Sequence, residues 1–485
     1  MLPVALLTPF LGGGLIFALR LQSRRARNIL CFLFTLATSV LTAWCVLAEG
    51  DAAFTLLRLS DKLTVSFHMD GLGRVFSGMI AFLWPLATLY AFEYMSHEGE
   101  ENGFFGFYLT SYGVTLGVAT AANLLTMYVF FELLTLSTLF LVTHGMRSRS
   151  VAAGRQYVYY SLGGAALGFV ALAGVLWYGG TTDFSYGGIA ALAGAPMTVL
   201  CVLMVLGFFG FGVKSAVFPL HGWLPTASIA PTPVTALLHA VAVVKAGAFA
   251  VMRLLYYTLG ADLMRGTWAQ TVCVLAAALT IVYGSAMAVR EQHMKRRLAY
   301  STVSNLSYVL FGAALLTPAG LTGSLMHMVY HALMKITLFS CVGAVMVQTG
   351  KQYVPEYRGL ARRMPFIMAV FAFCAIELVG IPPFVGFQSK WALAEAGLAS
   401  GTWAGTVGVI ALIVSAILTS IYMLVPSVTA WFPPKDGEAA LPVSSDDPGW
   451  EMKAPLAILC AVMLYLAFGS APLGSLLANV AGGLM

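Results

Sequence analysis

Apolar residues in this chain come in long unbroken stretches, not in the alternating or 3.6-residue patterns that mark strands and helices of water-soluble domains. About fourteen such runs lie near 3–20, 28–48, 71–94, 104–121, 124–144, 156–178, 196–219, 232–258, 268–289, 300–316, 321–348, 366–396, 404–430 and 454–476. A helix needs about 20 apolar residues to cross the hydrocarbon of a bilayer, so each run predicts one crossing. The chain therefore reads as an all-α polytopic membrane protein of about 14 transmembrane helices. The first run leads straight into Arg20, Arg24, Arg25 and Arg27 and a second span, without a clear cleavage site, and is expected to be retained. The largest polar stretch, PPKDGEAALPVSSDDPGWEMK at 433–453, reads as a loop.

Two of the long runs carry helix breakers at membrane depth. The seventh holds Pro219 in GFGVKSAVFPLHGWLPTASIAPTP, and the twelfth holds Pro382 and Pro383 between glycines in ELVGIPPFVGFQSKW. Proline removes a backbone donor and clashes with the preceding turn, which predicts two broken helices, each of two halves joined by extended backbone. Irregular backbone survives at that depth only inside protein or beside a wet cavity. Runs four to eight and nine to thirteen form two five-helix sets with the broken member fourth in each. Five is odd, so the second set must enter the membrane upside down, predicting an inverted repeat with ion sites at the interface. Within one membrane domain of 485 residues this gives N-terminal helices over 1–103, a first repeat over 104–258, a second over 268–430, and a loop and last helix over 431–485. Packing kinks are the plainer explanation of the breaks, but each has a lysine within about two turns.

Charge is sparse, at 9% of residues, and the formal net charge of +6 is spread loop by loop. Besides the first cluster, Arg147, Arg149 and Arg155, then Arg290, Lys295, Arg296 and Arg297, then Lys351, Arg358, Arg362 and Arg363 follow alternate runs. If every run crosses once, these links share a face, which the positive-inside rule places in the cytoplasm with both termini outside. The link at 95–103 shares that face and adds Glu98, Glu100 and Glu101 but no positive charge. Topology accounts for the basic residues better than nucleic acid or an acidic partner does.

What topology leaves over are charges inside the runs: Lys214, Lys245, Lys335 and Lys390, with Glu132 and Glu377. A charge at the bilayer centre costs roughly 2.5–3.5 kcal/mol on insertion scales and usually marks an ion path or proton relay. Glu132 and Lys214 are candidate partners. A static buried pair would only fix packing, and such pairs stabilise weakly; a lysine that can discharge when its carboxylate withdraws is a proton carrier. His327, His331 and Lys335 repeat at a spacing of four, making one polar stripe roughly 12 Å long on a helix, and histidine exchanges protons readily near neutral pH. As a metal site the stripe lacks further ligands. His239 and Lys245 are six residues apart and face different ways, with Lys245 the better candidate for a path and His239 the lesser. Glu377 either neutralises Lys390 or serves as a partner for another helix. His221 and Trp223 are expected to anchor at the interface and Arg253 to snorkel toward it.

No cofactor is expected. Seven cysteines are scattered singly through apolar runs with no CxxC or Cys/His spacing, and neither a GxGxxG strand-to-helix motif nor a Walker A loop occurs.

The stretch from about 104 to 425 resembles the antiporter-like membrane subunits shared by respiratory complex I, membrane-bound hydrogenases and the multisubunit cation/proton antiporters of the Mrp type. The resemblance rests on FFELLTLS around Glu132, the GVKSAVFPLHGWLPTA-x-x-A-PTPVTALLHA block, RRLAYSTVSNLSYVL, HALMKITLF and GIPPFVGFQSKW. It implies two inverted five-helix repeats and a polar axis at mid-membrane. On the matching positions Glu132 and Lys214 would form a regulatory ion pair, Lys245 a connector, His327, His331 and Lys335 the passage into the second half, and Lys390 the terminal donor. A long lateral helix, found on one complex I subunit, is not expected after the last run. Lys390 departs from the member that carries glutamate there.

The leading expectation is thus a proton-translocating subunit in the cell membrane, without catalytic chemistry of its own, beside other membrane subunits of a redox-driven complex. The alternatives are a D-like component of a multisubunit Na+/H+ antiporter and a non-pumping scaffold for an oxidoreductase arm.

Overall fold

The computed structural model describes residues 1–48, 53–432 and 446–484, and the apolar runs within them are helices. α1 (Leu2–Leu19) and α2 (Arg24–Leu47) are followed by β1 (Ala53–Ser60) and β2 (Leu63–His68), then α3 (Gly71–Met95), α4 (Glu101–Ala119), α5 (Leu124–Val142) and α6 (Ser148–Gly179). The middle of the chain forms α7 (Met197–Gly212), α8 (Trp223–Ala227), α9 (Thr232–Ala240), α10 (Val243–Met252), a π-helical turn (Arg253–Leu259) and α11 (Ala261–Met264). The remainder forms α12 (Trp268–Arg290), α13 (Met294–Ala314), α14 (Pro318–Thr349), α15 (Pro365–Val379), α16 (Val385–Ala399), α17 (Trp403–Thr429), α18 (Trp450–Gly469) and α19 (Ala471–Ala481). Among the described residues ten helical spans are long and apolar enough to cross a membrane. This is a multi-pass, helical membrane protein. The loop expected at 433–453 lies, from 433 to 445, outside the described residues.

Polar side chains set the helix starts. Ser23, Asp70, Asn123, Thr267, Thr317 and Thr402 each accept a backbone N–H from the first turn of α2, α3, α5, α12, α14 and α17, satisfying donors that have no partner within the helix. The strand pair was not expected. Its antiparallel hairpin pairs Ala53 with His68 and Ser60 with Leu63, and the His68 amide donates to the Thr120 carbonyl at 2.7 Å, tying the hairpin to the link between α4 and α5.

Hydrogen bonds sort the links into two faces. On one, Asn102 donates to the Leu21 carbonyl, His144 meets Gly99, and the Met294 amide donates to Gln352. On the other, the Leu124 amide donates to Thr182, Ser185 to Tyr257, and the Tyr256 hydroxyl to Thr317. One cavity lined by Glu98, His144, Arg147, Lys295 and Gln352 joins the contacts of the first group, so these arginine-rich links share a face as expected.

Every residue from Thr232 to Leu259 is buried. Ionisable side chains at membrane depth face protein or a wet cavity, not lipid, and this span, which holds His239, Lys245 and Arg253, lies against α14, which is itself largely enclosed. Around this centre three interruptions occur where two were expected. Residues 213–222 join α7 to α8 through consecutive turns rather than extended backbone, and Gly380–Phe384 join α15 to α16 through a left-handed Gly380 at φ 86°. Pro219 lies in the first and Pro382 and Pro383 in the second, each with a cis peptide bond. The third, at Val241 and Ala242, separates α9 from α10 and contains neither glycine nor proline. It could not be read from breaker residues.

Candidate ion-translocation axis

Each interruption delivers a lysine. α7 stops at Gly212, and Lys214 stands in the turns that follow, fully buried. Its ammonium donates to the Phe131 carbonyl, lies 3.6 Å from the centre of the Phe131 ring and 3.9 Å from Oε1 of Glu132. The ion pair is loose, because the hydrogen bond goes to the backbone while Oε1 of Glu132 has no hydrogen-bond partner among the described residues. Glu132 retains 23% side-chain exposure, so it faces the flank of the molecule while Lys214 faces the interior. The break is tied down by Trp223, whose indole donates to the Val213 carbonyl at 2.8 Å, and by Ser215, whose hydroxyl donates to Val244 at 3.0 Å. The turns therefore abut α10 beside Lys245. The approach needs Gly247, where a Cβ would lie 2.6 Å from the Ser215 amide nitrogen.

Lys245 sits just past the third interruption, and its Nζ pairs with Nδ1 of His331 on α14. The expected stripe of His327, His331 and Lys335 exists, but its members fan out to three different helices. His331 meets α10; Lys335 donates to the Ser301 hydroxyl of α13 at 2.7 Å and the Leu298 carbonyl at 3.1 Å; and Nδ1 of His327 lies 3.0 Å from the Ser389 hydroxyl of α16. The two imidazoles stack with centroids 5.8 Å apart and planes 19° apart. Their Nε2 atoms have no partner among the described residues.

Ser389 precedes Lys390 in the chain. Lys390 reaches back across the second interruption and donates to the Leu378 and Val379 carbonyls at 2.6 and 3.0 Å, the free acceptors at the C-terminal end of α15, where a cation also meets the negative end of the helix dipole. Glu377 does not supply its counter-charge: among the described residues the carboxylate makes no ion pair with Lys390 and lies instead beside the Val385 and Gly386 amides. Gly386 makes the fold-back feasible, since a Cβ there would fall 1.7 Å from the Glu377 carbonyl oxygen. His239 is enclosed against Phe339, ring centroids 4.6 Å apart, with neither nitrogen partnered among the described residues.

Three expectations are corrected. Arg253 does not snorkel: it is wholly buried, bound to Asp70 through both nitrogens of its fork and ringed by Phe184, Phe249 and Tyr257. Nor are Trp223 and His221 interfacial anchors, since both are buried, His221 between Phe218 and Tyr283. Lys295 was counted with the loop cations, yet it lies in the first turn of α13, 3% exposed, donating to the Ala230 carbonyl at 2.5 Å. It forms part of the wall of a cavity of about 490 Å³ on the arginine-rich face, together with Tyr94, Glu98, His144, Arg147 and Gln352. At its rim burial lowers the His293 imidazole below the ordinary histidine value.

Sequence reasoning also passed over hydroxyls. Ser301 bonds the Tyr422 hydroxyl at 2.8 Å, and Tyr308, Ser415, Ser304 and Ser285 form a second buried chain across α12, α13 and α17. The Tyr308 ring lies beside both His327 and Lys390, at 5.0 and 5.6 Å. A signal was present, since Ser301, Ser304 and Tyr308 recur at three and four residues, one face of a helix.

The family model for the NADH:quinone oxidoreductase/Mrp antiporter transmembrane segment matches residues 121–419. More than half the chain is covered, and the chain belongs to this family. It is 34% identical over 406 residues to NADH-quinone oxidoreductase subunit N of Desulforudis audaxviator, covering 82% of this chain and 79% of that one. To subunit L of Mycobacterium tuberculosis it is 31% identical, covering 86% and 64%; to Na(+)/H(+) antiporter subunit A1 of Staphylococcus aureus it is 28% identical, covering 78% and 49%. The chain thus spans less than two thirds of subunit L and about half of subunit A1. Among solved structures, a chain of the Mrp complex from Dietzia superposes with a TM-score of 0.85 at 25% identity, over 100% of this chain and 97% of that one. A chain of the archaeal membrane-bound sulfane sulfur reductase shares the fold, with a TM-score of 0.86 at 21% identity, covering 99% and 97%.

Proposed function

We propose that this chain is a proton-translocating, antiporter-like subunit of a larger redox-driven membrane complex, embedded in the cell membrane beside other membrane subunits and holding no electron carrier itself. In this reading the chain crosses fourteen times, with both termini outside, and residues 104–258 and 268–430 are inverted five-helix repeats flanked by 1–103 and 431–485. A charge change in a neighbouring chain of the complex separates Glu132 from Lys214; the released proton passes by Lys245, His331 and His327 to Lys390, with Lys335 as a branch and the breaks at Pro219, Pro382 and Pro383 holding the amines in place. Lys295 lines the cavity on the arginine-rich face, the side from which protons are reloaded, and His239 is a further candidate for the path.

The observation that carries the reading is the make-up of the buried row. Lys245, Lys335 and Lys390 hydrogen-bond to imidazole, hydroxyl and backbone carbonyl acceptors. Among the described residues a proton added to that row meets no fixed anion that would trap it, and a purely structural cluster gains nothing from three buried amines without carboxylates. Proton pumping by the assembled complex is the test: Lys214→Ala and Lys390→Ala are each expected to abolish most of it with assembly intact, and full pumping by both would end the proposal. The likeness to the Mrp chain favours a second reading, a component of a Na+/H+ antiporter in which the same row moves protons against sodium. A hard cation prefers carboxylates and carbonyls, so this row of amines and imidazoles suits protons and any sodium path lies elsewhere. A scaffold, the remaining reading, would keep pumping when all four lysines are methionine.

A further inference from the structure

A second site lies well away from the axis, at the arginine-rich membrane surface where α2, α3 and α18 meet. There a cavity of about 830 Å³ has a polar end formed by Arg24, Arg25, Asn28 and Glu451 and apolar walls of Phe32, Leu33 and Leu89. From Arg25 to Leu33 is about 12 Å along the helix at 1.5 Å per residue, enough to take a headgroup and the upper part of an acyl chain. Ile29 and Leu33 remain 52% and 57% exposed, so the apolar end opens to the lipid belt, and Trp450, 66% exposed at the mouth, is the residue type that settles at the headgroup level.

The polar end is built, not incidental. Arg24 is held by donating to the Phe92 carbonyl at 2.6 Å. The start of α18 is fixed to α3 by the Gly449 amide donating to Glu93 at 2.6 Å, which positions Trp450 and Glu451. Oδ1 of Asn28 is buried and has no hydrogen-bond partner among the described residues, and a buried acceptor left unpaired calls for a donor. Two guanidinium groups therefore face a carboxylate and an empty acceptor across one pocket.

From this arrangement we infer that the cavity binds one aminophospholipid of the ethanolamine type. The guanidinium groups take the phosphate, for which their planar fork is suited. The ammonium donates to Glu451 and to Oδ1 of Asn28. A choline headgroup has no N–H to offer either acceptor, and a glycerol headgroup offers only neutral hydroxyls, which donate to a carboxylate more weakly than an ammonium does.

The full chain, reconstituted in nanodiscs holding equal parts of phosphatidylethanolamine, phosphatidylcholine and phosphatidylglycerol with matched acyl chains and released for native mass spectrometry, tests this. The expected result is one phosphatidylethanolamine retained about fivefold or more over either competitor. Glu451→Gln should erase the preference over phosphatidylcholine, and Arg25→Gln should lower retention of all three. Equal retention, a preference for phosphatidylglycerol, or a preference untouched by both substitutions overturns the assignment. An independent reading needs neither variant: acyl-brominated phosphatidylethanolamine should quench the tryptophan fluorescence more than brominated phosphatidylcholine, with the difference lost in Trp450→Phe. Equal quenching by the two lipids also overturns it.

Discussion

Replacing Asp70 by asparagine keeps an oxygen for the Gly73 amide, which Asp70 accepts at 2.9 Å as the cap of α3, but removes the only carboxylate on Arg253 among the described residues. The guanidinium is fully buried among three aromatic rings, whereas Asp70 keeps 17% side-chain exposure. Water cannot reach the charge left behind, so the cost belongs to that of an uncompensated buried ion, about 3–5 kcal/mol. Asp70→Ala should lose about 1 kcal/mol more, the contribution of the cap. Arg253→Met alone should cost less than either, because the orphaned carboxylate can still be hydrated, and Asp70→Asn combined with Arg253→Met should recover most of the loss. Six of the seven cysteines are buried, so thermal unfolding of the purified chain can be followed with a thiol-reactive dye. The expected order of melting temperatures is wild type, then the double variant, then Arg253→Met, then Asp70→Asn, then Asp70→Ala. A double variant no more stable than Asp70→Asn would refute the buried-charge argument, since the loss would then be of packing.

Two further outcomes follow from local geometry. Gly386→Ala should cut proton pumping by the assembled complex at least tenfold, because its Cβ would collide with the Glu377 backbone oxygen and push α16, with Ser389 and Lys390, off α15; Gly14→Ala, at a site with nothing within 4 Å, should be silent, and equal pumping by the two variants would sink the claim. In the link before α15, the Tyr353 and Gln352 amides donate to Glu356 and hold its carboxyl below the usual carboxylate value. A depressed carboxylate contributes stability above its unfolded value, near 4.3, and loses it as pH falls through the folded value. Protection of these two amides from hydrogen exchange, corrected for intrinsic rates, should therefore persist at pH 6 and fall away below about pH 4; protection unchanged at pH 3 would contradict the assignment.

The buried lysines were legible in the chain to the extent that charge in an oily segment is legible. Lys214, Lys245, Lys335 and Lys390 stand out because insertion penalises each of them wherever it points, and Pro219, Pro382 and Pro383 stand out because proline cannot donate. Directions were not legible. That His331 turns to Lys245, Lys335 to Ser301 and His327 to Ser389 depends on which helices pack around α14, and a spacing of four fixes only a common side of one helix.

Hydropathy thus determined by itself that the chain lies in a membrane, where its helices run and which links share a face, because each of these follows from the transfer of individual residues out of water. Tertiary structure alone decided which charges are interior. Lys295 and Arg253 read as surface cations from their places at the ends of apolar runs, yet both are enclosed, one under the Ala230 carbonyl and the other against Asp70. The break at Val241 and Ala242 carries no breaker residue. Ser215 bonds the Val244 carbonyl just past that break, and the turns beside Lys214 pack against Gly247. Such contacts join positions far apart in sequence, and no local pattern of residues encodes them.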